Sequence, residues 1–238
     1  VPMRKVALVT GAADGIGQET ARLMAKAGWD VAVHCHRNRA GAEATARAVA
    51  EAGGRAEVLQ ADLAEPMAPQ ELMAACGAAF PRLDALVNNA GITDAAARVE
   101  EITPARLTRM FAVNLTAPFL LAGLAARCMS TRHGGEGGVI VNVSSVAARH
   151  GAAGHYVDYA SAKAGLDILT KGLAEEVAAE GIRVVSIRPG RVESGAPAET
   201  VAVDRLGRPD EIAKAIVWLA SDEASRVTGT VFDINGGR

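Results

Sequence analysis

Short, continuous apolar runs alternate with helix-patterned stretches from one end of this 238-residue chain to the other. Lys5–Thr10 reads as a buried strand, Gly15–Ala27 as a helix ended by Gly28, and Val31–Cys35 as a second strand. Ala40–Ala52 reads as a helix stopped by Gly53-Gly54. A strand at Ala56–Ala61, a helix at Pro69–Phe80 and a strand at Leu83–Asn88 follow. Thr103 reads as the cap of a helix with Pro104 in its first position, running toward Ser130. Val139–Val143, Ile182–Ile187 and Thr230–Ile234 read as three further strands, with helices at Tyr156–Glu180 and from Arg208-Pro209 to about Ser221. Strands apolar on both faces, each joined to the next by a helix, are what a parallel sheet covered on both sides requires. No repeat, linker or low-complexity tract interrupts the pattern. The expectation is one α/β domain over residues 1–238, a Rossmann-type doubly wound sheet of about seven parallel strands.

Composition narrows the class. Half the residues are apolar but only 3% are aromatic, so the core must be built from Ala, Val, Leu and Ile. Lys and Arg number 25 against 27 acids, a net charge of -2, which leaves no electrostatic footprint for nucleic acid or an anionic membrane. The three cysteines, odd in number and without paired spacing, give neither a disulfide framework nor a zinc pattern. His133, His150 and His155 fall in loops, and no metal is assigned. No apolar run reaches the ~18 residues of a membrane span, and Val6–Val9 is too short for a signal-peptide core. A soluble, cytoplasmic protein is expected.

The first strand ends in Thr10-Gly11-Ala12-Ala13-Asp14-Gly15-Ile16-Gly17, directly before a helix. Glycines there let the chain turn tightly and let a pyrophosphate approach the free N–H groups of a helix N-terminus. Their spacing is G-x-x-x-G-x-G rather than the commoner G-x-G-x-x-G. The second strand runs into His34-Cys35-His36-Arg37-Asn38-Arg39, with no carboxylate to accept a ribose 2′-hydroxyl. Arg37 can instead pair with a 2′-phosphate through its planar fork, which favours NADP over NAD. Asp14 argues the other way, because an aspartate in the glycine-rich turn repels that phosphate.

Five motifs in order resemble the short-chain dehydrogenase/reductases over nearly the whole chain. They are the glycine-rich turn, Asn88-Asn89-Ala90-Gly91, Tyr159-x-x-x-Lys163, Arg188-Pro189-Gly190 and Asn235-Gly236-Gly237. Gly154–Gly165 is similar to the bacterial carbonyl-reductase branch, which includes 3-oxoacyl-[acyl-carrier-protein] reductases and pteridine-reductase-like proteins. The resemblance implies coenzyme contacts from Gly11, Ala13, Asp14, Gly15, Ile16 and Gly17, and from His36, Arg37 and Asn38. Asp62 would take the adenine amino group with Leu63 beside it, and Asn89, Ala90 and Gly91 would line the adenosine ribose. Pro189, Gly190, Val192 and Ser194 would face the nicotinamide, Ser194 standing where relatives usually place threonine. Many NADP-using relatives carry a basic residue in place of Asp14.

The resemblance implies Asn114, Ser145, Tyr159 and Lys163 as catalytic residues. Reduction of a ketone leaves an alkoxide that needs a proton from a positioned acid. Tyr159 and Lys163, four apart on a helix, share one face. An ammonium about 4 Å from the phenol would lower its pKa by roughly three units at an effective dielectric of 20. Ser145 would bind the substrate oxygen, Ser144 would be structural, and Asn114 would hold a water beside Lys163. Tyr156, the other tyrosine, is placed as a substrate-pocket wall. The expected activity is NADP-dependent hydride exchange between coenzyme and a small ketone or secondary alcohol, with NAD as the other coenzyme.

Two other functions stay open. One is reduction of 3-oxoacyl groups on an acidic carrier protein, against which the acidic Glu175, Glu176 and Glu180 weigh. The other is a catalytically silent nucleotide sensor, which has no need of all four catalytic residues. A homotetramer or homodimer is implied by resemblance. Residues 191–208 read as a shortened substrate lid, mobile around Ser194–Val203.

Overall fold

Seven parallel strands form one sheet in the computed structural model, which describes residues 3–192 and 205–237. In chain order the strands are β1 (Lys5–Val9), β2 (Trp29–Cys35), β3 (Ala56–Gln60), β4 (Ala85–Asn88), β5 (Gly138–Val143), β6 (Ile182–Pro189) and β7 (Val231–Ile234). Between them lie α1 (Gly15–Lys26), α2 (Arg39–Glu51), α3 (Ala68–Ala79), α4 (Pro104–Phe111), α5 (Ala117–Met129), α6 (Ala147–His150), α7 (Val157–Val177) and α8 (Pro209–Ala220). The order across the sheet is β3-β2-β1-β4-β5-β6-β7. The chain winds outward from β1 to β3, returns to β4 beside β1, and winds outward again. That reversal opens a crevice at the strand C-termini between β1 and β4, where such sheets bind their ligands.

Period-two alternation feeds both layers. Ala7 and Val9 of β1 point into a core shared with Met24 of α1, Val49 of α2 and Ile216 of α8. Val6 and Leu8 point the other way, toward Leu72 of α3, Leu121 and Met129 of α5 and Val177 of α7. Each fully buried Leu or Ile contributes about 1.5–3 kcal/mol. The alanine-rich helices lie close enough to the sheet to fill both layers with few aromatic rings.

The helix expected to run unbroken from Pro104 toward Ser130 is instead split. Thr103 caps it as expected, its hydroxyl accepting from the Arg106 N–H at 3.3 Å. A wide π turn, Ala112–Thr116, then separates α4 from α5. Pro118 explains the break: it has no N–H to offer the carbonyl four residues back, and that residue is Asn114. The run Pro104–Met129 is, by length and composition, long and apolar enough to cross a membrane, contrary to the expectation that no such run exists. Its apolar face is spent on the core, where Leu121, Ala122, Ala125 and Met129 are fully covered. Most of the expected lid, including Ser194, lies outside the described residues. Of its ends, Val192 and Gly207 pair in a short parallel bridge.

Candidate active site

Backbone clamping builds the phosphate end of the crevice. The buried Thr10 hydroxyl accepts from the N–H groups of Asn89 and Ala90, each at 3.0 Å, tying the end of β1 to the end of β4. Asn89 Nδ2 donates to the carbonyls of Thr10 and Gly11 at 2.9 Å. Gly11 turns at φ +62°, and a Cβ on Gly17 would fall 2.1 Å from the Gly11 carbonyl oxygen, so no side chain fits there. Asp14 leaves the first turn of α1 without a side-chain cap, and such free N–H groups suit an anion. Gly11, Asp14, Gly15, Ile16, Asn89, Ala90, Gly91, Val192 and Pro209 line a groove of about 290 Å³.

Several residues expected to touch the coenzyme also make bonds or packing contacts within the fold. The Asn89 amide donates to backbone carbonyls, while Asn89, Ala90 and Gly91 together line the groove. The side chains of Ala13 and Leu63 are buried in the two core layers. Asp62, expected to take the adenine amino group, is partly exposed and already bonded within the fold. Its carboxylate accepts from the Ala64 N–H at 3.0 Å, meets Arg109 of α4 at 3.3 Å and lies 3.2 Å from His36 Nε2. Burial opposes its ionisation, but the Ala64 N–H and the Arg109 guanidinium hold it below the usual aspartate range.

Arg37 is exposed and makes no ion pair among the described residues. Asn38 caps α2 by accepting from the Gly41 N–H at 2.9 Å, and its amide donates to Asp14 Oδ2 at 3.4 Å. His34, within the second strand, is buried and neutral. Its Nδ1 accepts from the Gly11 N–H at 3.1 Å, so Nε2 carries the proton and faces the Ala61 carbonyl, also at 3.1 Å. Burial pushes its pKa down to about 4.

Asn114, Ser145, Tyr159 and Lys163 converge at the same edge of the sheet. Asn114, in the π turn, is wholly buried; its amide donates to the carbonyls of Ile92 (2.9 Å) and Met110 (3.1 Å). Its Oδ1 accepts from the Ile92 N–H at 3.1 Å. Ser144 is structural as expected, its buried hydroxyl donating to the Lys163 carbonyl at 3.2 Å. Ser145 is half-buried; its hydroxyl accepts from the Ala147 N–H at 3.1 Å, and it lies close enough to the Tyr159 phenol to favour its ionisation. Tyr156 stands half-buried just before α7.

The Tyr159 phenol does not show the lowered pKa expected beside Lys163. Lys163 Nζ donates to the Val143 carbonyl at 2.8 Å and lies 5.6 Å from the centre of the Tyr159 ring. Desolvation pushes the Tyr159 hydroxyl above its ordinary pKa, and Ser145 only partly offsets this. Burial pulls Lys163 down to about 8, against the opposing charge of Asp167 one turn along α7.

Sequence reasoning passed over Arg106 and Asp158. Arg106 Nε lies 2.8 Å from Asp158 Oδ2, beside Tyr159 in the chain. The signal was an acid in the first turn of the tyrosine helix, which any helix could carry for its dipole. Asp167 was also missed, held by the Ser186 hydroxyl at 3.1 Å and Arg188 Nε at 2.8 Å.

A doubly wound sheet with this groove and this cluster is the framework of a nicotinamide-dependent oxidoreductase acting on hydroxyl and keto groups. The chain belongs to the short-chain dehydrogenase/reductase family, as the family model described as short chain dehydrogenase matches residues 5–204. It is 43% identical over 245 residues to the uncharacterized oxidoreductase YgfF of Escherichia coli, covering 98% of this chain and 99% of that one. The crystal structure of acetoin dehydrogenase from Enterobacter cloacae superposes with a TM-score of 0.91 at 35% identity, over 99% of this chain and 96% of that chain. A short chain dehydrogenase from Burkholderia cenocepacia, solved in complex with NADP, gives 0.91 at 32% identity over 98% and 97%.

Proposed function

We propose that the protein is an NADP-linked carbonyl reductase of small ketones, with Tyr159 as proton donor. The observation that carries this is the convergence of Ser145, Tyr159 and the buried Lys163, with Lys163 Nζ 5.6 Å from the centre of the Tyr159 ring and Ser145 close enough to favour ionisation of the phenol. The groove suits the pyrophosphate of a nicotinamide dinucleotide: Gly15 leaves open space at its rim, and the uncapped N-terminus of α1 suits the charge. When bound, that coenzyme supplies the hydride. Ser145 orients the carbonyl oxygen by donating a hydrogen bond to it, and Tyr159 delivers a proton to the same oxygen. A phenol held above its ordinary pKa keeps its proton at neutral pH, which suits the reductive direction. Lys163 holds a second exchangeable proton behind the ring, and Asn114 fixes the Ile92 backbone at the substrate side.

Arg37, exposed and outside any ion pair among the described residues, supports NADP as the coenzyme, as does the NADP bound to the Burkholderia relative. The acetoin dehydrogenase likeness supports a small hydroxyketone or diketone as substrate. Exposed Phe119 on α5 and Ile168 on α7 support assembly into a homotetramer or homodimer. The free Cys35, Cys76 and Cys128 support a cytoplasmic location.

The test is coenzyme oxidation with NADPH and NADH over diacetyl, cyclic ketones, sugars, pterins and 3-oxoacyl thioesters. Diacetyl with NADPH is expected to turn over, and Tyr159→Phe to abolish turnover while leaving NADPH affinity nearly unchanged. Retained turnover in that variant would move the proton-donor role elsewhere. Turnover confined to 3-oxoacyl thioesters would replace the small-ketone assignment.

A further inference from the structure

Arg106 joins three segments: α4, the first turn of α7 and the loop that follows β4. It projects from α4 with its side chain 12% exposed, and its partner Asp158 is fully covered in the first turn of α7. Nε meets Asp158 Oδ2 at 2.8 Å and Nη2 meets Oδ1 at 3.3 Å. The remaining arm, Nη1, donates to the Ala95 carbonyl at 2.7 Å, in the loop that follows β4. The same loop is fastened again by the Ala97 N–H, which donates to the His155 carbonyl at 3.0 Å, one residue before Tyr156.

We propose that Arg106 is a positioning residue for Tyr159, locking the first turn of α7 to the loop that walls the substrate side. The proposal rests on the reading of Tyr159 as proton donor. Tyr159 follows Asp158 directly in the first turn of α7. A shift of Asp158 therefore carries the Tyr159 backbone with it. Net stability is a poor explanation for such a pair, because burying two charges costs about what their attraction returns. Geometry is a better one. The guanidinium fork satisfies two carboxylate oxygens and a carbonyl in one plane, which a lysine ammonium cannot do. Proton transfer is sensitive to displacement, since a misplacement of about 1 Å costs on the order of a hundredfold in rate.

The experiment compares wild type with Arg106→Met, Arg106→Lys and the double variant Arg106→Met/Asp158→Asn. For each it measures kcat and KM for diacetyl with NADPH, the NADPH Kd by fluorescence, and Tm. Arg106→Met strands a buried carboxylate, so Tm falls, and kcat is expected to fall roughly ten- to a hundredfold with little change in NADPH affinity. The double variant removes the stranded charge and recovers Tm, yet its kcat stays low and falls further than KM rises. Arg106→Lys keeps the charge without the fork and stays well below wild-type kcat. Recovery of kcat together with Tm in the double variant would overturn the proposal, because the pair would then only hold the fold. A wild type that reduces no ketone would overturn the reading of Tyr159, and this proposal with it.

Discussion

Gly91 lies so near Asn114 that a Cβ on it would come within 2.8 Å of Asn114 Oδ1, and within 3.4 Å of Lys163 Nζ. Asn114 cannot swing aside cheaply, because its amide is held by the Ile92 and Met110 carbonyls and its oxygen by the Ile92 N–H. Gly91→Ala should therefore displace the π-turn asparagine or the lysine. Overpacking of this kind costs about 1–3 kcal/mol, and turnover should fall by more than the affinity for NADPH. Thermal unfolding and kcat check both halves. An alanine variant with unchanged Tm and kcat would show that Asn114 is free to move.

Lys163 should trade stability for activity. Its pKa is about 8 in the fold against 10.5 for an ordinary lysine, with burial as the main cause. Between those two values the folded state binds fewer protons than the unfolded one, so stability rises with pH across that window. Below pH 8 the buried ammonium carries its full cost, roughly 3 kcal/mol at about 1.4 kcal/mol per pKa unit. Lys163→Met should thus unfold about 1–2 kcal/mol less readily at neutral pH, the lost bond to Val143 offsetting part of the gain. It should also lose turnover. Urea denaturation at neutral pH tests the sign, and a variant less stable than wild type would contradict it.

The fold was legible because its determinants are local and periodic. The apolar runs at Lys5–Val9 and Val31–Cys35 have no other stable role than strands covered on both faces. Where the sequence misled, the cause was a relation between segments distant in the chain. Asp62 reads as a free acid until Arg109 and His36 are brought against it from α4 and the end of β2. His34 reads only as a strand residue until burial and the Gly11 N–H make it a neutral acceptor. The π turn at Asn114 needs the joint effect of Pro118 and the Ile92 backbone, and no periodicity reports that. Tyr159 and Lys163 were singled out by their spacing, while the bond of Lys163 to the Val143 carbonyl, twenty residues away, was not legible from it.

His34 makes the phosphate turn acid-sensitive. An ordinary histidine titrates near 6.5, but this one is held down to about 4 by burial, against the Ala61 carbonyl, which favours the charged form; His36 lowers it further and Asp62 raises it. At neutral pH it is uncharged in both folded and unfolded chains and costs nothing. As pH falls from about 6.5 toward 4, the unfolded chain takes up a proton that the folded one refuses, and stability drops by up to roughly 3 kcal/mol. A proton on Nδ1 would also face the Gly11 N–H, so the turn must open. His34→Asn should flatten this acid limb of the stability profile. An equally steep limb in that variant would assign it to other groups.

Coenzyme choice sets Arg37 against Asp14. Both border the space beyond the end of β2: Arg37 is exposed and in no ion pair among the described residues, while Asp14 accepts from the Asn38 amide at 3.4 Å. A 2′-phosphate there gains a charge-assisted bond from the arginine, about 1.5–3 kcal/mol, and meets repulsion from the aspartate. Arg37→Ala should weaken NADPH binding by roughly tenfold or more and leave NADH binding little changed. Asp14→Arg should strengthen NADPH binding, because it removes the repulsion and adds a second cation. Asp14→Asn separates the two contributions, since it removes the charge while leaving an oxygen to accept from Asn38. Fluorescence titration with both coenzymes reads every variant. Equal loss of NADPH and NADH in Arg37→Ala would mean that Arg37 does not read the phosphate. The side chains left to do so would be His36, 3.2 Å from Asp62, and Arg39, already paired with Glu43 at 3.0 Å.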